Sequence, residues 1–187
     1  MGKRGHQMVK TLLAALMLVA GTATAQDTTH AAPPANPADV ASVDAILKSL
    51  YDVISGPADQ KRDWNRFRSL FANGARLIPT RQRPNEPAQA VVLDVEGYIT
   101  RSAPMLETNG FFEKELSRKT EAFGRITHAF STYASFRTAG DTAPFSRGIN
   151  SIQLFNDGTR WWVVTIYWDA ERPGLTIPRE YLPPSGP

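Results

Sequence analysis

No cysteine occurs among the 187 residues of this chain. The protein therefore forms no disulfide bond, and it has no thiolate that could act as a nucleophile or bind an iron–sulfur cluster. Of the three histidines, only His128 lies in the part of the sequence that has the pattern of a folded domain. A zinc site needs several nitrogen or sulfur ligands. We therefore expect no metal site and no cofactor.

Motifs that mark several common enzyme classes are also missing. The chain contains no GxGxxG, no GxxxxGK[ST], no GxSxG and no HExxH. These motifs carry the chemistry of dinucleotide-binding proteins, P-loop NTPases, α/β-hydrolases and zinc peptidases, respectively. Their absence argues against all four classes.

The positive charge of the chain is concentrated at its beginning. Residues 1–25 contain three Lys or Arg and no Asp or Glu, followed by an apolar run at 11–20 and by Ala-Thr-Ala at 23–25. This order is typical of a secretory signal peptide, and we expect cleavage between Ala25 and Gln26. The apolar run is shorter than the roughly 20 residues that span a bilayer. The sequence therefore predicts a periplasmic or secreted protein rather than a membrane-anchored one.

Cleavage would change the charge balance of the protein. The full chain has 21 basic and 18 acidic residues, and removal of residues 1–25 would leave 18 of each. A nucleic-acid-binding surface needs an excess of basic residues. We expect no nucleic-acid partner, and no membrane association once the signal peptide is removed.

The remaining sequence predicts a flexible linker at 26–37, one domain at 38–171 and a proline-rich extended tail at 172–187. Apolar spacing of three and four residues predicts helices at 37–54, 58–72 and 95–105, and two short extended runs at 75–80 and 89–94. From Phe111 the apolar period becomes two, which predicts strands at about 111–121, 125–137, 147–155 and 160–169. Helices followed by an antiparallel meander indicate an α+β domain.

Two segments carry a resemblance to a known family: FRSLFANGARLI at 67–78, and RGINSIQLFNDGTRWWVVTIYWDAE at 147–171. Together with the order of elements, they resemble the NTF2-like (nuclear transport factor 2-like) superfamily, in particular SnoaL-like exported bacterial domains. The resemblance implies a cone in which three N-terminal helices pack on a curved antiparallel sheet around an apolar pocket. It also implies a homodimer formed through the outer face of the sheet. The superfamily includes isomerases, dehydratases and non-catalytic modules, so the chemistry must come from the site residues.

His128 and Glu115 are the candidate catalytic residues. Strand alternation places His128 with Ile126 and Phe130 on the more apolar face, which predicts that its imidazole faces the pocket as a proton carrier. With Phe123 and Gly124 at the turn, Glu115 pairs with Thr132 and orients the imidazole or acts as a base. The alternatives are a histidine hydrogen-bonded within the core and a glutamate on a solvated strand face.

Four residues are candidate ligand-binding residues. With Asp157 and Gly158 at the last turn, Arg147 and Gln153 share the face of Trp168, where the arginine could hold a carboxylate or an oxyanion. An arginine stacked on tryptophan at the rim of the sheet is the alternative. Tyr51 occupies a helix position similar to that of the pocket tyrosine in ketosteroid isomerases.

The predicted function is therefore the binding of a small apolar organic molecule in an enclosed pocket, with acid–base, lyase or isomerase chemistry. A non-catalytic accessory or protein-interaction module, whose pocket is filled by its own side chains, is the alternative.

Overall fold

The computed structural model of the protein describes residues 32–83 and 85–184. The predicted signal peptide and the first half of the predicted linker, residues 26–31, lie outside these residues. The described chain contains four helices: α1 (Pro37–Val40), α2 (Val43–Ile54), α3 (Trp64–Ser69) and α4 (Val95–Asn109). No helix within these two ranges is both long and apolar enough to cross a membrane.

The helices differ from their predicted lengths for local reasons. The first predicted helix is divided in two, because the Ser42 hydroxyl accepts a 3.0 Å hydrogen bond from the Ala45 amide and starts α2 anew. The second is shorter than predicted, because the chain from Phe71 onward is already paired with a strand of the sheet. The third continues through Pro104 as far as Asn109, where Gly110 adopts a positive φ of 67°.

Six strands form one curved, unclosed sheet in the order β2-β1-β6-β5-β4-β3. The strands are β1 (Phe71–Arg81), β2 (Gln89–Ala90), β3 (Phe112–Phe123), β4 (Ile126–Phe136), β5 (Ser146–Asn156) and β6 (Trp161–Ala170). The predicted antiparallel meander is confirmed in β3 to β6, whereas β1 joins β6 in parallel. The α+β cone predicted from the sequence is confirmed.

The register of the first hairpin differs from the predicted one. Phe123 lies opposite Ile126, so Gly124 and Arg125 form the two-residue loop, with Gly124 at a positive φ of 56°. A bulge between Glu115 and Ser117 shifts the pairing once more. As a result, Glu115 lies opposite Tyr133 and not opposite Thr132.

The last hairpin also has a longer loop than predicted. The Asp157 carboxylate accepts hydrogen bonds from the Thr159 amide at 2.7 Å and the Arg160 amide at 2.9 Å, which closes a four-residue loop at 157–160. A bulge follows between Gln153 and Leu154. Gln153 therefore lies opposite Thr165 instead of Trp162, and every side chain beyond it changes its partner.

The two faces of the sheet have different coverings. The inner face packs against α2, α3 and α4, and this layer buries the largest apolar side chains, among them Leu47, Phe67 and Ile152. Part of the outer face is covered by residues 172–184, here called the C-terminal segment. The Thr132 hydroxyl donates a 2.6 Å hydrogen bond to the Tyr181 carbonyl, and the Tyr181 ring contacts that of Phe130.

Candidate functional site

A cavity of about 230 Å³ lies between the inner face of the sheet and the helices. Residues of α2, α3 and α4 and of all strands except β2 form its wall, which is mainly apolar and aromatic. Met105 and Phe145 line the cavity but are 44% and 48% exposed. These two side chains therefore mark its mouth.

Glu113, near the start of β3, places a carboxyl group in this wall. Its Oε2 accepts a 2.9 Å hydrogen bond from the Ser135 hydroxyl, and its backbone amide donates to the Ser55 hydroxyl. Burial raises the pKa of Glu113 to about 7, although hydrogen bonds from Ser135 and Asn150 partly oppose the shift. Near neutral pH, Glu113 is therefore present in both its protonated and its ionised form.

A directed chain of hydrogen bonds runs beside Glu113. The Ser131 hydroxyl donates to Glu115 Oε1 at 2.6 Å, so its single hydrogen is used and the Tyr51 hydroxyl must donate to Ser131 Oγ at 2.7 Å. Asn150 Nδ2 in turn donates to the Tyr51 hydroxyl oxygen at 3.1 Å. The Tyr51 hydrogen is thus committed within the protein, so the Tyr51 hydroxyl has no hydrogen to donate to a ligand.

Two more tyrosines face the same carboxyl. Burial, and secondarily the charge of Glu113, raise the pKa values of Tyr98 and Tyr133. Both hydroxyls therefore stay protonated around neutral pH. The Tyr133 side chain lies directly over Gly148, where a Cβ atom would come within 2.5 Å of the Tyr133 hydroxyl oxygen. Glycine at 148 thus makes room for this ring.

The aromatic part of the wall is built by ring packing. Tyr98 stacks on Phe67 with centroids 5.3 Å apart and meets the edge of Trp168 at 6.3 Å. Near the mouth, Phe111 contacts Phe145 at 6.1 Å. The rings hold one another in place, so the wall is preorganised.

The structure places two of the predicted ligand-binding residues, Tyr51 and Trp168, in the cavity wall. Glu115 lies on the inner side of β3 and reaches the network through Ser131, but it does not line the cavity. Its carboxylate also lies 3.5 Å from Arg118 Nε.

The predicted orientation of His128 was wrong. Its imidazole lies on the outer face, where Nε2 is 3.0 Å from the Ser151 hydroxyl, and it is separated from Glu115 by the sheet. The apolar residues next to His128 suggested the core, but they include Phe130, which packs against the C-terminal segment. Both faces of β4 are covered, so apolarity did not distinguish them.

The predicted orientation of Arg147 and Gln153 was wrong as well. Arg147 Nε forms a 2.7 Å ion pair with Glu171, and Gln153 is exposed on the outer face. Neither residue lines the cavity. The longer loop moves the pairing by two residues, which keeps the faces, whereas the bulge moves it by one, which reverses them and brings Asn150 opposite Trp168.

Sequence reasoning missed Glu113, Tyr98, Tyr133 and Asn150 as cavity residues. One signal was present: Ser131, Tyr133 and Ser135 alternate along β4 and give this face a row of hydroxyl groups. Glu113 shares the face of Glu115 by simple alternation. No residue pattern marked Asn150, because its face depended on the bulge between Gln153 and Leu154.

The described residues offer no metal centre, since no three of their His, Asp or Glu side chains cluster closely enough to hold an ion.

Comparisons with known proteins find similar solved structures only. The chain is similar to an NTF-2 like protein of unknown function from Silicibacter pomeroyi DSS-3, at 13% identity and a TM-score of 0.48, covering 70% of this chain and 94% of that one. It is similar to an NTF2-like protein of unknown function from Shewanella baltica OS155, at 12% identity and a TM-score of 0.43, covering 68% and 89%. A third, from Methylobacillus flagellatus KT, has 12% identity and a TM-score of 0.41, covering 70% and 95%.

No family profile matches the chain, and no curated protein matches it. The architecture described above, with helices packed on one face of a curved, unclosed sheet, is the α+β cone that the sequence predicted. The assignment to SnoaL-like members stays a prediction.

Proposed function

We propose that the protein binds a small, largely apolar organic molecule in the cavity beneath the sheet. The supporting observation is the cavity itself, which its own side chains leave unfilled, contrary to the filled-pocket alternative. An engineered cavity of about 150 Å³ holds benzene, and pockets for drug-sized ligands measure about 300–1,000 Å³. The 230 Å³ cavity therefore suits a single substituted ring or a compound of similar size.

The chemistry that we propose for this site is acid–base catalysis by Glu113. A carboxyl whose pKa is about 7 can both accept and return a proton near neutral pH. It would take a proton from a carbon next to a carbonyl, while the electron pair moves onto the carbonyl oxygen. Tyr98 or Tyr133, both protonated, would donate a hydrogen bond to that oxygen.

Return of the proton to another carbon would give isomerase chemistry, and loss of a neighbouring leaving group would give lyase chemistry. Glu113 thus replaces His128 as the proposed proton carrier. Glu115 becomes a residue that orients Tyr51 through Ser131.

Binding can be tested with benzyl alcohol, a neutral single-ring probe, followed by NMR shifts of the Trp168 indole. We expect saturable shifts in the natural protein and none in Ser102→Trp, in which a large side chain enters the cavity from α4. Thr100→Trp, exposed on the same helix, is the matched control and should bind normally. Equal binding by Ser102→Trp would contradict the cavity as the site.

The acid–base proposal can be tested by deuterium exchange of the activated methylene protons of 2-indanone. We expect the protein to accelerate exchange and Glu113→Gln to lower the rate by at least roughly 100-fold, the usual contribution of a general base. Exchange no faster than in buffer would refute the catalytic role and leave ligand binding intact.

Export and dimerisation also remain proposals. Export is supported by the order of residues 1–25 and would be tested by mass spectrometry of the mature N terminus, expected at Gln26.

The homodimer proposal is supported by a row of apolar side chains that the outer face still exposes at the hairpin loops: Phe123, Ile126 and Phe155. Light scattering that shows only monomer at high concentration would refute it.

A further inference from the structure

The acidic and basic side chains that line the cavity are all of one sign. Among the described residues that line it, Glu113 carries the only carboxyl group, and there is no lysine, arginine or histidine. Seven of the lining residues are aromatic. A site of this composition repels anions and has no fixed cation to neutralise its acid.

The basic side chains of neighbouring elements have other partners. Arg118 pairs with Asp44 and Glu115, and Arg147 pairs with Glu171 on the outer face. Lys114 lies over the ring of Phe136. The described partners of the Glu113 side chain are the Ser135 hydroxyl and the Asn150 amide, both neutral.

Because burial penalises the ionised carboxylate, Glu113 takes up a proton more readily than an exposed glutamate does. A proton is one way to neutralise this group, and an organic cation of suitable size is another. The aromatic rings around it favour the second, since ring faces attract ammonium groups, most strongly where water is excluded.

We infer that the natural ligand is a small organic ammonium compound, whose charged nitrogen pairs with Glu113 and whose hydrocarbon part lies against Tyr98, Trp168 and Phe111. This inference rests on the proposed function, because it assumes that the cavity binds a small molecule. It adds the charge and the class of that molecule.

The tyrosines that face Glu113 titrate in a different pH range from Glu113 itself. Tyr51 on α2, Tyr98 on α4 and Tyr133 on β4 surround it, and burial raises their pKa values. Glu115 on the same strand and Asp169 on β6 act on these tyrosines from farther away. The Arg137 guanidinium lies over the ring of Phe145 at the mouth, 4.1 Å from its centroid. Between pH 5 and 8, ligand binding should therefore follow Glu113.

The test compares benzylammonium, benzyl alcohol and benzoate, which share one ring and differ in charge. At pH 8 we expect benzylammonium to bind at least about tenfold more tightly than benzyl alcohol, and benzoate to bind most weakly. Glu113→Gln should lose the preference for the amine. Glu121→Gln, an exposed change on the same strand, should retain it.

The pH profile of the natural protein tests the same inference without any variant. Because only the ionised carboxylate pairs with the ammonium group, the affinity for benzylammonium should fall roughly tenfold per pH unit below pH 7. The affinity for benzyl alcohol should not fall in this way.

The outcomes separate the two proposals. If benzyl alcohol binds as tightly as benzylammonium, or more tightly, the ligand is not a cation, while the binding function of the cavity stands. If none of the three probes binds, both proposals are refuted. Amine preference that persists in folded Glu113→Gln would also overturn the inference, because the charge pairing would lie elsewhere.

Discussion

At the scale of single residues, the environment of Glu113 decides the properties of the site. Glu113 and Glu115 are two positions apart and on the same side of β3, yet only Glu113 lines the cavity. Glu115 accepts the Ser131 hydrogen bond and lies 3.5 Å from Arg118 Nε. Glu113 meets neutral partners only. Identical side chains thus take different roles because their surroundings differ.

Glu113 should make the stability of the protein depend on pH. Its folded-state pKa of about 7 lies above the ordinary value of 4.5, so the folded state holds a proton that the unfolded state has released. Stability should therefore fall as pH rises from about 4.5 to about 7, by as much as about 3 kcal/mol. Urea unfolding at several pH values measures this effect.

Glu113→Gln should remove this fall and should be more stable than the natural protein at pH 8. Glu121→Gln controls for the change in net charge and should follow the natural curve. An unchanged slope in Glu113→Gln would show that another group causes the dependence.

At the scale of elements, Arg62 connects the loop after α2 with two helices. Its guanidinium is buried, and it donates hydrogen bonds to the carbonyls of Ile54 at 3.0 Å, Gly56 at 2.6 Å and Leu106 at 2.9 Å. The carbonyls near the carboxyl ends of α2 and α4 carry partial negative charge that a cation satisfies. A Cβ atom at position 56 would come within 2.7 Å of Arg62 Nη1, so glycine there leaves room for the guanidinium.

Replacing Arg62 by methionine should destabilise the fold strongly. The change leaves several buried carbonyls without a donor, and each unsatisfied group costs about 1–3 kcal/mol. We expect a loss of about 3 kcal/mol or more in the free energy of unfolding, measured by urea denaturation. Arg101→Met, an exposed change on α4, should stay within about 0.5 kcal/mol of the natural protein. A loss no larger than that of the control would refute this role.

Sequence patterns predicted where the elements lie but not which face of a strand each side chain occupies. Helix caps, apolar spacing and alternation predicted α4 from its first residue and the four long strands to within a few residues. The cavity residues depended on strand register, which two bulges and the loop at 157–160 decide. A shift of one residue moves every side chain of a strand to the other face. Asn150 entered the site and Arg147 left it for this reason.

At the scale of the whole molecule, helices cover the inner face of the sheet and the C-terminal segment covers part of the outer face. The C-terminal segment crosses the outer face and is held by Tyr181 and by Ile177, which is only 8% exposed. The Ile177 amide also donates to Glu171 Oε1 at 2.9 Å. The sheet therefore packs against helices on one face and against the chain's own end on the other.

Replacing Ile177 by aspartate should release the C-terminal segment and leave the cone folded. A charge buried under the segment is costly, whereas detachment exposes only a few apolar side chains. Trypsin should then cleave after Arg179 faster than in the natural protein, as measured by mass spectrometry, with the main unfolding transition retained. Leu175→Asp, at a position that is 41% exposed, is the control and should be cleaved at the natural rate. Equal cleavage of the two variants would show that Ile177 does not hold the segment.

The local pattern of residues was sufficient for the α+β class and the meander, because helix caps and apolar periods act over a few neighbouring residues. The family resemblance pointed to Tyr51, and strand alternation in the last hairpin pointed to Trp168. Which carboxyl group lines the cavity was decided only by contacts between residues far apart in the chain. Glu113 meets Asn150 and Ser135 only after loops and bulges have set the register. His128 and Phe130 share the outer face, and the apolar character of that face is explained by the end of the chain, which folds back over Phe130.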